Sequence, residues 1–221
     1  FLDSAAAQDI PLDGYGIRYR YGLFKQGLSN GFQTETADVW LSKDIDSWGV
    51  RCEADSVRID FADQSVVAVP YDTPIIGYNR KSVNTLRLWQ AEALSEFSFS
   101  DFDCQEYLKA SEDEINAKAI TNVLYPNDNY EKGRRLRLKQ QYFFSSASLQ
   151  DIIKKYKKKF GDDFSKFHEM YAIQLNDTHP TVSIPELIRL LMFKEGMDFE
   201  QAFAIAQKTF NYTNHTVLSE A

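Results

Sequence analysis

The spacing of apolar and polar positions changes character along the chain and divides it into a strand-like part and a helical part. Between residues 40 and 78 the pattern has the two-residue period of strands. Val57-Arg58-Ile59-Asp60-Phe61 alternates, and Ser65-Val66-Val67-Ala68-Val69-Pro70 is a β-branched run that the proline is expected to end. Pro74-Ile75-Ile76-Gly77 punctuates this region, and Thr85-Leu86-Arg87-Leu88-Trp89 resumes it. Upstream, residues 13–26 alternate aromatic and polar side chains between glycines, which predicts a strand, a turn and a return towards Phe32. Tyr15, Tyr19 and Tyr21 read as half-buried sheet residues with satisfied hydroxyls rather than ligand contacts.

Past residue 100 the period lengthens to that of helices. Residues 107–124 place Ile115, Ala119, Ile120 and Val123 three or four apart. Tyr125-Pro126-Asn127-Asp128-Asn129-Tyr130-Glu131-Lys132-Gly133 must be a loop, and is a candidate lid. Residues 136–160 return to helix; Ser148 and Asp151 have capping spacing inside it, which predicts two helices or one bent one. Lys154 to Lys159 would form its solvated face. A last helix capped by Asp198 would have Phe203, Ile205, Ala206 and Phe210 supplying its apolar surface. Strands alternating with helices predict an α/β fold with a mostly parallel sheet and an antiparallel patch in residues 40–78.

The most informative stretch is Tyr171-Ala172-Ile173-Gln174-Leu175-Asn176-Asp177-Thr178-His179-Pro180. An apolar run stops abruptly and four hydrogen-bonding side chains follow, as when a strand delivers polar groups to a crevice at its carboxyl end. A helix should start soon after, with Ser183 and Glu186 at capping-box spacing and Pro185 in the first turn. Equally, Asn176 and Asp177 could simply make the turn, with His179 a satisfied loop residue.

Composition excludes more than it selects. The 221 residues can bury a real core, with 43% hydrophobic content. A net charge of -7 argues against a nucleic-acid partner. Cys52 and Cys104 have no metal or redox spacing, so no metal is expected, and they fit a reducing, cytoplasmic compartment. No apolar run reaches membrane-spanning length, so no membrane association is expected. The chain opens at Phe1-Leu2-Asp3-Ser4 without methionine and stops at Ser219-Glu220-Ala221, which suggests a piece of a longer protein.

Seven ordered motifs carry a resemblance across nearly the whole chain. They are Gly14-Tyr15-Gly16-Ile17-Arg18-Tyr19, Val69-Pro70-Tyr71-Asp72-Thr73-Pro74, Asn84-Thr85-Leu86-Arg87-Leu88-Trp89 and Leu124-Tyr125-Pro126-Asn127-Asp128-Asn129, followed by three more. The rest are Leu136-Arg137-Leu138-Lys139-Gln140-Gln141-Tyr142-Phe143, Gln174-Leu175-Asn176-Asp177-Thr178-His179-Pro180 and Tyr212-Thr213-Asn214-His215-Thr216-Val217-Leu218. Together they resemble the α-glucan (glycogen, starch, maltodextrin) phosphorylases. The resemblance implies part of the N-terminal lobe of a GT-B type glycosyltransferase, β-rich over about 32–90 and helical and site-bearing over about 105–221. The C-terminal lobe, whose lysine holds pyridoxal phosphate, would lie outside the chain, as would a glycine-rich loop preceding Phe1. No cofactor is therefore expected on this piece, which should be inactive alone.

The implied reaction is reversible phosphorolysis, in which inorganic phosphate attacks the non-reducing end of an α-1,4-glucan to give glucose 1-phosphate. By motif correspondence Asn129 and His215 hydrogen-bond the transferred glucosyl unit, with the His215 carbonyl facing the developing positive charge. Asp128 resembles the loop acid at the entrance. Asp177, Thr178 and His179 resemble contacts to the acceptor-side glucan or its wall; Asn214 and Thr216 look like supports, and Glu220 would hold one of them. Ser219 departs from the family's usual proline. Lys154 and Lys155 stand where nucleotide-regulated members carry arginine, and lysine is a poorer bidentate phosphate clamp, so nucleotide activation is not carried over. A homodimer is implied for the whole enzyme, while the fragment, its lobe surfaces uncovered, is expected to self-associate. Two rival readings remain open: a glycoside hydrolase using Asp128 and Asp177 as its carboxylates, and a non-catalytic glucan-binding module.

Overall fold

A computed structural model describes residues 1–41, 48–95 and 97–217. The chain separates into two compact units, residues 1–140 and 141–221.

The first unit is built on a long hairpin. Strand β6 (Ser65–Ile76) and strand β7 (Val83–Ala93) pair antiparallel from Val66↔Ala93 to Ile76↔Val83. β1 (Gly14–Ile17) lies parallel to β7, while the short strands β4 (Val50–Arg51) and β5 (Val57–Asp60) pair antiparallel with β6. A separate hairpin joins β2 (Lys25–Ser29) to β3 (Phe32–Thr36), the return expected upstream. The expectation of a mostly parallel sheet is therefore overturned: the main sheet is mostly antiparallel. The reason lies in the connections. Residues 77–82 are too few for the crossover that parallel neighbours require, whereas a tight turn suffices for a hairpin. Asn79 takes the left-handed conformation in that turn (φ 54°).

Pro70 does not end its strand. Its carbonyl accepts the Cys52 N–H at 2.9 Å, on the side away from β7. In a strand the N–H and C=O of one residue point the same way, so the bond that proline cannot make is not one of the β6–β7 ladder. Pro74, four residues on, shares that orientation. Arg87 of β7 is buried and meets Asp72, its register partner on β6, with two bonds of 2.7 Å and Asp55 with one of 3.0 Å.

Two helices cover this sheet: α1 (Leu2–Ala7) packs on β6 and β7, and a later helix, called α4 below, packs on β7. Gly77 permits the first contact, because a Cβ there would stand 2.3 Å from the Ala6 carbonyl oxygen. The helical stretch expected over residues 107–124 is broken into α3 (Tyr107–Ala110) and α4 (Glu112–Asn122), after a short α2 (Phe99–Asp103). Ala117 and Ile120 of α4 are buried with Trp89, Ala91, Val66 and Ile59. Ile115 and Val123, predicted on the apolar face, are exposed. Tyr15, Tyr19 and Tyr21 are half-buried, and burial pushes the Tyr19 phenol up to about 12.

Helix α5 (Glu131–Phe160) runs without a break, so the capping signal at Ser148 is not used. Ser148 instead donates to the Phe144 carbonyl one turn back at 2.6 Å, and Asp151 is buried beside Lys155 at 2.8 Å. Lys154, Lys158 and Lys159 are exposed while Tyr156 is buried among Phe164, Phe167 and Tyr171. The second unit continues through α6 (Phe167–Met170), β8 (Ile173–Asn176), α7 (Ser183–Phe193), α8 (Phe199–Thr209) and β9 (Phe210–Thr213). β8 and β9 are parallel, joined through the two helices.

Asp198 caps α8 as expected, accepting the Gln201 N–H at 2.8 Å. The capping box at α7 does not form. Ser183 falls inside the helix, and Glu186 turns to the Ser146 hydroxyl (2.6 Å) and the Arg189 guanidinium (2.6 and 2.9 Å), all in this unit. A buried carboxylate gains more from a charged partner than from one backbone N–H. Among the described residues no helix is long and apolar enough to cross a membrane.

Core and surface apolar positions on these helices should respond differently. Leu187 of α7 is fully buried, whereas Phe203 of α8, expected on that helix's apolar surface, is 46% exposed. Leu187→Ala should cost about 2–5 kcal/mol, and Phe203→Gln no more than about 0.5 kcal/mol. Urea denaturation followed by circular dichroism measures both; equal losses would contradict this assignment of the core.

Candidate functional site

The polar cluster forms where the two parallel strands of the second unit end. Register places Asn176 opposite Thr213, so the segments that follow, 177–179 and 214–217, leave the strands side by side. Asp177 is the residue that joins them. It adopts the left-handed conformation (φ 66°), which aspartate tolerates better than most side chains. Its N–H donates to the Thr213 carbonyl at 2.8 Å. One carboxylate oxygen accepts the Thr178 N–H at 2.6 Å; the other accepts the Thr216 hydroxyl at 2.7 Å and the His215 N–H at 3.3 Å.

These donors all favour the charged form. The Thr216 hydroxyl is the largest influence, followed by the Thr178 N–H, the His215 N–H and the nearby His179, and together they hold the Asp177 carboxyl below its ordinary value. The residue is 7% exposed, yet its carboxylate is well supplied with partners, which is the condition for keeping a buried charge.

Around this clasp the other predicted residues divide by exposure. His215, Asn214 and Thr178 are exposed, and His179 and Thr216 are half-buried. The Asn214 side-chain oxygen accepts the Thr216 N–H at 2.8 Å, closing a local turn around His215. The Thr178 carbonyl accepts both the N–H and the hydroxyl of Thr181, which starts the chain towards α7. Glu220 and Ser219 lie outside the described residues.

Asp128 and Asn129 stand in the first unit, on the loop before α5, and both are exposed. Side chains hold the backbone of the loop. Asn127 accepts the Asn129 N–H at 2.9 Å, and Arg134 donates to the carbonyls of Asp128 and Asn129 at 3.3 and 3.4 Å. Arg137 pairs with the Asp128 carboxylate. Gly133 is needed here because a Cβ would stand 1.7 Å from the Asn127 carbonyl oxygen. The sequence pattern does not mark Arg134 and Arg137 as partners of this loop. Their signal was two arginines, six and nine residues after Asp128, in the opening turns of a helix.

The hydroxyls, amides and imidazoles of these two segments suit a neutral polyhydroxylated ligand. Comparison with known proteins gives that chemistry a context. The carbohydrate phosphorylase family model matches residues 1–221. The chain is similar to the brain form of glycogen phosphorylase of Homo sapiens, 46% identical over 242 residues, covering 100% of this chain and 29% of that protein. It is 45% identical to the muscle form of Ovis aries, with the same coverage. The chain thus spans 29% of the length of these relatives.

The state of Asp177 makes a pH prediction. A carboxyl held below its ordinary 3.8 contributes stability that is present above that value and is lost as pH falls through the depressed one. The difference in Tm between the unmodified chain and Asp177→Asn should therefore be full at neutral pH and shrink in acid below 3.8. Circular dichroism melts of the two proteins across that range check it; a gap that stays constant would show that the carboxylate charge is not what joins the strand ends.

Proposed function

The chain belongs to the carbohydrate phosphorylase family, and we propose that it forms part of the N-terminal, sugar-recognising lobe of a GT-B type α-1,4-glucan phosphorylase. Phosphorolysis by that enzyme would break the bond between C1 of the terminal glucosyl unit and the glycosidic oxygen. Inorganic phosphate forms the new bond to C1 with retention of configuration, and the shortened glucan leaves with a proton on its freed hydroxyl. The observation that carries this reading is the meeting of Asp177, His215 and Thr216 at the carboxyl ends of two parallel strands, in a chain matched from end to end.

His215 is assigned two roles. Its exposed imidazole hydrogen-bonds a hydroxyl of the transferred sugar, and its backbone carbonyl faces the anomeric carbon as positive charge develops there. Asn129 offers an amide to a sugar hydroxyl, and Asp128 acts on the entrance loop. Thr178 and His179 line the path of the acceptor glucan. Asn214 and Thr216 support His215, and Glu220 is assigned a supporting role on motif alone.

Pyridoxal phosphate, the family cofactor, would supply a phosphate group that handles the proton of the attacking phosphate. The strand-end segments 176–179 and 213–217 hold no lysine amine for a Schiff base. They do not fit the cofactor's attachment site, which we place in the C-terminal lobe. Two free cysteines, Cys52 half-buried and Cys104 exposed, are consistent with a cytoplasmic setting. The full enzyme is proposed to be a homodimer. Exposed Leu23, Leu28 and Phe32 around the β2–β3 hairpin give the isolated chain apolar surface through which to self-associate.

A hydrolase reading needs one carboxyl that stays protonated to act as general acid. Asp177 is held in the charged form, and Asp128 is paired with Arg137. Asp177 is therefore not poised to be that acid.

The test is kinetic and uses the full-length enzyme. His215→Ala removes the ring and keeps the carbonyl, so it should cost about 0.5–1.5 kcal/mol in kcat/KM if water replaces the lost bond, with part of the loss in kcat. His215→Asn should fall between. The isolated 221-residue chain should form no glucose 1-phosphate from maltooligosaccharide. An unchanged kcat/KM in His215→Ala would refute the assignment.

A further inference from the structure

We propose that Asp177 is a positioning residue, which fixes the backbone of His215 through the Thr216 hydroxyl and the His215 N–H and does not itself bind the glucan. This rests on the role assigned to His215 above.

The argument is geometric. His215 lies between two planar peptide units. The N–H of the first is His215's own, and it donates to Asp177. The N–H of the second is that of Thr216, and it donates to the Asn214 side chain at 2.8 Å. In a trans peptide the carbonyl points opposite to the N–H, so the Asn214 bond directs the His215 carbonyl away from the Asn214 side chain. Both planes that set the backbone angles of His215 are thus held by side chains. Only one of the two, Asp177, ties the segment to the neighbouring strand.

The same carboxylate has little capacity left for a sugar. A carboxylate offers about four lone-pair sites. Thr178 N–H, His215 N–H and Thr216 hydroxyl already occupy three, and the residue is 7% exposed. His215, by contrast, is exposed and free to meet a ligand. The depressed ionisation of Asp177 agrees with this, since every donor it meets favours the charge. Asp177 is thus suited to be a fixed support, with His215 as the contact it supports.

Asp177→Asn keeps the size and tolerates the left-handed backbone, but sets an NH₂ where an oxygen received the His215 and Thr216 donors. Thr216→Val removes the hydroxyl while keeping the shape, and Thr216→Ser restores it. In the full-length enzyme, Asp177→Asn should lower kcat about 10–100-fold, the loss expected from a small displacement of a positioned group. KM for the glucan should change much less. Thr216→Val should lower kcat in the same sense, and Thr216→Ser should recover most of it. The discriminating measurement is the double-mutant cycle with His215→Ala. If Asp177 acts through the backbone of His215, Asp177→Asn should cost less in the His215→Ala background, because only the share that acts through the retained carbonyl remains.

An undiminished effect of Asp177→Asn in the His215→Ala background overturns the proposal, as does a loss confined to KM for the glucan. If His215→Ala alone leaves kcat/KM unchanged, the functional reading fails first and takes this inference with it. Should Asp177→Asn fail to fold, Thr216→Val and Thr216→Ser run through the same cycle decide the matter.

Discussion

A carboxylate buried at the end of a strand is stable only if donors surround it, and the donors available at such a place are those of whatever chain runs alongside. This is the constraint on which the second unit turns. β8 and β9 form a two-stranded parallel pair whose carboxyl ends have no further ladder among the described residues. Asp177 supplies the continuation. Its N–H extends the β8–β9 bonding to Thr213, and its carboxylate reaches two and three residues further, to His215 and Thr216. The left-handed turn at Asp177 makes this possible, because it swings the side chain back towards the neighbouring strand instead of letting β8 run on. One residue therefore ends a strand, opens a loop and ties that loop to a segment 38 positions away.

How much of this was legible depended on whether the deciding partner was local. Asp198 was read correctly as a cap because the N–H it accepts, that of Gln201, lies three residues away and nothing else competes. Ser183 and Glu186 carried an equally good local signal, yet Glu186 was drawn to Ser146 and Arg189. Ser146 is 40 residues distant in sequence, and no local window contains it. Ser148 sat inside a helix whose buried residues, Phe143, Leu149 and Tyr156, stabilise continuity more than one cap could stabilise a break. Pro70 followed the same logic in a sheet: the rule that proline ends a strand assumes its missing N–H was needed, and orientation decided that it was not.

The sheet was misread for a different reason. Strands and helices alternate over the chain as a whole, but strands β5, β6 and β7 follow one another over residues 57–93 with only short connections. Consecutive strands at that spacing can only be hairpins, so the antiparallel patch expected over residues 40–78 extends through β7. Parallel pairing appears where connections are long: β1 with β7, and β8 with β9. The candidate site was legible as a set of residue types after Leu175 and after Thr213. What could not be read was the division of labour, because register alone brings Asn176 opposite Thr213 and so sets Asp177 beside His215.

That division has an energetic consequence for binding a neutral sugar. Such a ligand offers hydroxyls and no net charge, so each hydrogen bond it makes contributes only about 0.5–1.5 kcal/mol against water. Ordering one residue's backbone costs about 1–2 kcal/mol, which could cancel the gain from a single contact. A histidine on a loose segment would therefore recognise a sugar poorly. At His215 part of that ordering does not depend on a ligand, because Asp177 and Asn214 bond the peptide planes on either side of it. The buried charge meets protein donors, and in the proposed assignment the exposed imidazole meets the ligand. Placing the charge on the support and the neutral group at the surface lets the site be rigid without presenting a carboxylate that would have to be stripped of water to admit a sugar.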